Sequence, residues 1–349
     1  MASTQHYVPI LKAKLGELGA LGTLTADAKQ RITPLLEVPS FLGGKDPKAS
    51  ARKVAAHFEK AWGDGYQLYV DTAWSGEEDA SSAPTLSVIL EEGRSRLLRL
   101  VPVTGLTRTD AYQAVVRTAG ASDEGICVRL EAGDLEHAAQ AKELASSLGF
   151  DLSHVDLLLD FKSISNDQVA ALALAGRAII AAVPELGRWR RLILAASAFP
   201  LDMSQFQSNR ISRAPRAEWA LFNAIARGDN RPARIPFFGD YAIQHPRPKE
   251  IDPKIMNMTA NLRYTSNGEW MILKARNVKQ YGYAQFNTIC RTLIDRDEYA
   301  GGDFSWGDQY IERCARGQDG PGSATTWRKV GTSHHLTLVA RQIASLGGP

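Results

Sequence analysis

Eight short runs, each almost unbroken in apolar residues, recur through the first 241 residues with helix-like segments between them. They are YVPIL (7–11), ITPLLEV (32–38), YQLYVDT (66–72), RLVPVTG (99–105), GICVRLE (125–131), HVDLLLDF (154–161), RLILAAS (191–197) and IPFFGDY (235–241). A strand with one wet face alternates apolar and polar side chains, whereas a strand covered on both faces does not, so these runs read as strands of a parallel sheet. The intervening segments carry helix punctuation. DPKASARKVAAHFEKAWG places Pro47 in a first turn with Val54, Phe58 and Trp62 on one face, EHAAQAKELASSLG stops at Gly149, and SNDQVAALALAGRAIIAAV opens on Ser165 as a cap. Eight strands joined by helical crossovers predict an α/β (β/α)8 TIM-like barrel over residues 1–241. The alternative is an open doubly wound sheet. The first strand is not followed by the G-x-G-x-x-G turn of a dinucleotide-binding fold, which counts against it.

After Tyr241 the pattern changes. IQHPRPKEIDP is a charged, proline-rich connector, and Asn267-Gly268 sits between two strand-like runs as a hairpin turn. Helices are expected near 281–295 and 306–316. Leu336, Val339, Ala340, Ile343 and Leu346 then share one helical face. The expected domain plan is a barrel (1–241), an α+β insertion or lid over the strand C-terminal face (242–333), and a closing barrel helix (334–349) entered at GTSHH.

The 349 residues, 44% of them apolar, are ample for one large core. Lys+Arg 41 against Asp+Glu 38 gives +3, so no overall charge marks a nucleic-acid binder. Cys127, Cys290 and Cys314 have no metal-ligand spacing and read as free thiols of a reducing compartment. No apolar run approaches the roughly 18 residues that span a bilayer, and no signal-peptide core opens the chain, so the expectation is a cytoplasmic protein without a membrane partner.

YVPILKAKLGELGAL near the start, with LRYTSNGEWMILKAR, FSWGDQYIERCARG and ATTWRKVGTSHHLTLVARQIA downstream, resembles the beta family proteins, named for the beta protein of T-even bacteriophages. The resemblance spans nearly the whole chain. It implies a phage, mobile-element or phage-defence setting but no particular reaction, so chemistry rests on the residues.

In a (β/α)8 barrel the active site lies at the strand C-terminal mouth. Several runs finish on charged residues at that end: Lys12, Glu37, Asp71, Arg129 with Glu131, Asp160 with Lys162, and Asp240 with Tyr241. Such a ring is either a polar site or a set of ion pairs closing the barrel end. As a site, its carboxylates supply Mg²⁺ ligands or an acid–base pair, and its Lys and Arg side chains clamp phosphate oxygens. This favours hydrolysis or transfer at a phosphoryl centre, with Lys162 also placed for a Schiff base. His334 and His335, at a helix entrance on the same rim, point roughly 100° apart. One ring is expected to face the mouth, near Asp71, Asp160, Asp240 or Asp308, and the other to anchor the insertion. Asp308 reads either as a helix cap or as a lid residue. From Arg188 to Arg234 there are nine arginines, no lysines and three acids. That makes Arg210, Arg213 and Arg216 candidates for nucleic-acid phosphates. The competing function is a non-catalytic module docking nucleic acid or a companion protein.

Overall fold

A computed structural model describes residues 6–39, 46–73, 80–119, 124–227, 230–247 and 258–346. The strands are β1 (Tyr7–Lys12), β2 (Leu35–Glu37), β3 (Gln67–Asp71), β4 (Arg99–Thr104), β5 (Ile126–Glu131), β6 (Val155–Ser163), β7 (Arg191–Ser197), β8 (Arg210–Pro215), β9 (Phe237–Asp240), β10 (Thr259–Thr265) and β11 (Glu269–Asn277). The helices are α1 (Leu15–Leu21), α2 (Ala26–Gln30), α3 (Pro47–Trp62), α4 (Ser82–Ser95), α5 (Asp110–Ala119), α6 (Gln140–Ser147), α7 (Val169–Ala182), α8 (Ala217–Ala226), α9 (Val278–Tyr281), α10 (Gln285–Ile294), α11 (Trp306–Ala315) and α12 (Ala324–Leu346). None of the helices among the described residues is long and apolar enough to cross a membrane.

Strands β1 to β7 and β9 form a closed barrel in chain order, and every pairing is parallel, including the closing pair of β1 with β9. All eight apolar runs are barrel strands, and the fold is a (β/α)8 TIM-like barrel. The strand period of two splits each run between two cores. Val8, Ile10, Leu35, Tyr69, Val101, Val103, Leu158 and Ile193 fill the barrel interior. Tyr7, Leu11, Leu36, Leu68, Val70, Leu157, Leu159 and Phe238 point outward under the helices. Full burial on both faces is why the runs do not alternate.

The insertion departs from the expected plan in two ways. Its antiparallel sheet has the order β10-β11-β8, and β8 comes from the β7–β9 connection, ahead of residue 242. The stretch after Ser212, with Trp219 and Phe222 on one face further on, reads locally as a helix from about 213 to 228. Instead Pro215 disfavours the α conformation at Ala214, residues 210–215 stay extended against β11, and α8 starts at Ala217. The last helix also starts ten residues before 334. Ser323 caps it, accepting from Thr326 N–H at 3.3 Å, and the helix runs through GTSHH without a break. Trp327 and Val330 belong to the insertion core, whereas Leu336, Val339, Ala340 and Ile343 belong to the barrel's outer core, so α12 serves both units. A Cβ on Gly331 would lie 2.8 Å from the carbonyl oxygen of Arg263 in β10. The glycine that opens the expected helix entrance is therefore a close-approach position inside a longer helix.

Candidate functional site

Lys12, Glu37, Asp71, Arg129, Asp160 and Tyr241 each lie two positions beyond an interior residue, so the strand period turns them inward at the C-terminal mouth. Arg129 is the hub. Its Nη1 meets Asp71 Oδ2 at 2.8 Å, and its Nη2 meets Glu37 Oε1 at 2.9 Å and Asp160 Oδ2 at 2.8 Å. Nη2 also donates to the Tyr241 hydroxyl at 2.8 Å, which in turn donates to Asp160 at 2.6 Å. Lys12 pairs with Glu37, and Arg108 reaches both Asp71 oxygens at 3.3 Å. The Arg129 guanidinium and its three carboxylates are essentially inaccessible to solvent. Burial pushes the Glu37 carboxyl up, but Lys12, Arg129 and Lys162 outweigh it and hold the group at about 2. Burial likewise works against ionised Asp160, and Lys162 and Arg129 bring it below its ordinary range. Lys12 is lowered, chiefly by burial, against the opposing pull of Glu37.

A more open tier sits above. Lys162 Nζ meets Glu131 Oε1 at 2.6 Å and Asp160 Oδ2 at 3.5 Å, with side chains 14% and 19% exposed for Lys162 and Glu131. Lys162 holds φ +57°, a left-handed conformation costly for a non-glycine residue, and its N–H donates to Asp160 Oδ1 at 2.9 Å. His245 joins this tier, its Nε2 at 3.1 Å from Ser163 Oγ. Burial first, then Lys12 and Arg247, lower its pKa against an opposing bond to the Arg247 carbonyl. His245 and Arg108 escaped the sequence reading. The signal for His245 was its place four residues after Tyr241, inside a segment that looked like a plain connector.

Part of the strand-end pattern has a simpler cause. Asp71, Asp160 and Asp240 each accept from the backbone N–H two residues on, at 3.0, 2.9 and 2.9 Å. These turns end β3 and β9 and break the register of β6, a job suited to Asp whatever else it does. The mouth carboxylates do not fit a Mg²⁺ site, because guanidinium or ammonium groups already occupy them and a cation would have to displace Arg129 from three partners. Among the described residues no three His, Cys, Asp or Glu side chains are grouped to hold a metal ion.

Asp240, His334, His335 and Asp308 are not at the mouth. Asp240 shares the outward parity of Phe238, and its Oδ1 accepts from the Tyr7 hydroxyl at 2.6 Å in the outer core. Its Oδ2 lies 2.9 Å from His335 Nε2, and His335 Nδ1 lies 2.9 Å from Thr265 Oγ1. Burial lowers the His335 pKa more than Asp240 restores it. The neutral tautomer that satisfies both partners donates from Nε2 and accepts from the Thr265 hydroxyl. His334 Nδ1 lies 2.9 Å from Asp308 Oδ2, and Nε2 lies 2.8 Å from the Thr265 carbonyl. Tyr264 donates to Asp308 at 2.7 Å and stacks on the His334 ring with centroids 3.8 Å apart. Asp308 also accepts from Ser305 Oγ, the N-cap of α11, at 2.5 Å, so it locks the insertion interior and is not a lid over the mouth. The division of labour expected of the histidines is replaced by another. Both rings sit in the middle of α12 between barrel and insertion, His335 tied to the barrel wall and His334 to α11.

The arginine candidates are spread out. Arg210 is exposed at the start of β8, Arg213 is engaged by Glu269 and Glu298, and Arg216 is buried against Glu218 at 3.2 Å. Arg216 Nη1 also bonds Gln342 of α12 at 3.0 Å, so this guanidinium is part of the interior. Lys162 is the sequence candidate that the structure adds to the five inward-facing ones at the mouth.

Comparison with curated proteins gives no match. A family model described as Beta protein matches residues 7–341, from the first barrel strand into the last helix. The match covers the barrel, the mouth and the inserted sheet together, and the chain belongs to the Beta protein family.

Proposed function

We propose that the barrel mouth is a small-molecule site acting on an anionic, phosphate-bearing substrate, as a hydrolase or transferase that does not depend on the mouth carboxylates as metal ligands. The observation that carries this reading is the two-tier construction. A saturated, buried tier around Arg129 fixes a partly open tier of Lys162, Glu131, His245 and Ser163. The lower tier is rigid and charge-compensated, which suits it to hold geometry and not to exchange protons. In the upper tier, Lys162 supplies the cationic donor, and His245, kept neutral near pH 7, is the general base. Strain at Lys162, in the irregular end of β6 at the mouth, supports the same reading. The family resemblance adds a phage or phage-defence setting to the proposal.

The second reading is a non-catalytic module that binds through the same mouth or through Arg210. It is favoured by the saturation itself, since Glu37 at about 2 is no general acid. The test is a panel of phosphomonoester and phosphodiester substrates with the wild type, Lys162→Gly and His245→Ala. Glycine accepts φ +57°, so Lys162→Gly keeps the backbone turn while removing the ammonium group together with its alkyl stem. Turnover by the wild type, lost in both variants while their unfolding curves stay near wild type, is expected. Ligand binding without turnover supports the module, and turnover unchanged in both variants rejects the mouth as the site.

A further inference from the structure

Beside the mouth, the backbone strip after β9 separates it from a second cationic feature. On one side of the strip, Lys12 Nζ donates to Pro246 O at 3.1 Å and Ser197 Oγ to Gln244 O at 3.2 Å. On the other, two arginines from different elements meet a single acceptor. Arg263 of β10 donates from Nη1 to Ile243 O at 2.8 Å, and Arg328 of α12 from Nη1 to the same oxygen at 3.4 Å. Both side chains line one cavity of about 180 Å³, whose apolar wall includes Phe286 and Trp327, stacked at 4.1 Å and 7°.

The Ile243 carbonyl, with two lone pairs, accepts one N–H from each guanidinium but carries no charge to neutralise either. The carboxylate the described residues bring to them is Glu17, whose Oε1 lies 3.6 Å from Arg328 Nε and is shared with Gln244. Among the described residues, two cations against one anion leave an excess positive charge in a confined space. Burial, then Arg328, drives the Arg263 pKa well below its ordinary value, with Glu17 offsetting part; burial also lowers Arg328. Like charges held together in this way are relieved by an anion. Each guanidinium has five N–H donors in a planar fork that matches phosphate oxygens. The protein bonds of Arg263 use Nε and Nη1, and those of Arg328 use Nε and Nη1, which leaves the Nη2 ends of both forks.

We propose that Arg263 and Arg328 form an anion site that takes free phosphate or a small phosphate monoester, separate from the barrel mouth and joined to it through the Ile243–Pro246 strip. The cavity has room for about six waters at roughly 30 Å³ each. It is smaller than the sites of roughly 300 Å³ and more that hold whole drug-sized ligands, so the ligand is a phosphate group with little attached. Occupancy ties β10, α12 and the strip together and so stiffens one wall of the mouth.

The test is calorimetric titration of the full chain with inorganic phosphate and, separately, glycerol 3-phosphate, each against chloride at matched ionic strength. Saturable binding of either is expected, and which of the two binds tighter identifies the source. Arg328→Gln should weaken it by about tenfold or more, as loss of a charge-assisted bond does. Glu17→Gln should tighten it, because the competing carboxylate is gone, whereas a purely structural arginine pair would show no gain. Arg328 is partly exposed, so its variant carries the test even if Arg263→Gln fails to fold. No saturable binding of either anion overturns the proposal. So does binding that survives Arg328→Gln and is lost in Lys162→Gly; that outcome assigns the phosphate to the mouth and leaves the functional reading there intact.

Discussion

At the scale of single residues, Arg129 decides whether the mouth exists. A buried ion network gains little over well-packed apolar groups, yet removing one member strands its partners. Arg129→Met leaves Glu37 and Asp160 without their shared guanidinium, and Asp71 with Arg108 alone. The expected loss is about 3–5 kcal/mol, read as a shift in the urea midpoint at constant slope. Two buried glutamates set opposite pH responses. Glu37 is held at about 2, below its ordinary 4.5, so its contribution is present above pH 4.5 and is lost as pH falls toward 2. Glu218 is pushed up to about 7, by burial first and with Arg216 opposing, and its second oxygen has no partner among the described residues. Its contribution is full below pH 4.5 and is lost as pH rises through 7. Glu218→Gln should therefore gain stability relative to wild type at pH 8, on the order of 2–3 kcal/mol, and little at pH 4.5. Urea curves at the two pH values check this, and an equal effect at both would remove the linkage.

At the scale of elements, α12 is the piece on which the others converge. It crosses the start of α11 so closely that a Cβ on Gly307 would lie 2.2 Å from Val330 O and 3.3 Å from His334 N. Backbone cannot yield as a flexible side-chain end can, so Gly307→Ala should force the helices apart. A cost of about 1–3 kcal/mol is expected, with the Asp308–His334 contact loosened. Hydrogen exchange localises the effect: α11 and β10 amides should lose protection while those of β5 and β6 keep theirs. Uniform loss across all strands would mean that the crossing is no weaker than the barrel. His334 and His335 gain their meaning here, as bolts on one helix that fasten α11, β10 and the barrel wall together.

At the scale of the whole molecule, barrel and insertion are one folding problem, because a single helix completes both cores. A chain ending at residue 323 lacks Trp327 and Val330 from the insertion core and Leu336, Val339, Ala340 and Ile343 from the barrel's outer core. Each of the larger of these side chains contributes roughly 1.5–3 kcal/mol when fully buried, in total comparable to the usual net stability of a domain. The truncated chain should show no cooperative unfolding transition by circular dichroism. A barrel that still melts cooperatively would show that the two units are independent.

The barrel strands and the Asn267-Gly268 hairpin were legible in the sequence because each is written in a local period or turn chemistry. So was the inward convergence of Lys12, Glu37, Asp71, Arg129 and Asp160, since strand parity and a shared end fix it. Parity also separates Asp240 from Tyr241, which the charged-end pattern had grouped together. What stayed hidden depends on partners distant in sequence. β8 is a strand only because β11 lies beside it, and GTSHH is mid-helix, its Gly331 set by the close approach of the Arg263 carbonyl. His245 reaches the mouth because a connector folds back over Ser163, and Arg263 meets Arg328 because a hairpin and the last helix flank one carbonyl. The sequence by itself determined which segments are strands and which way their side chains alternate, for these are properties of a few neighbouring residues. Only the tertiary structure decided which charges neutralise one another and which remain in excess, because ion pairing is set by distances between segments that no local pattern records.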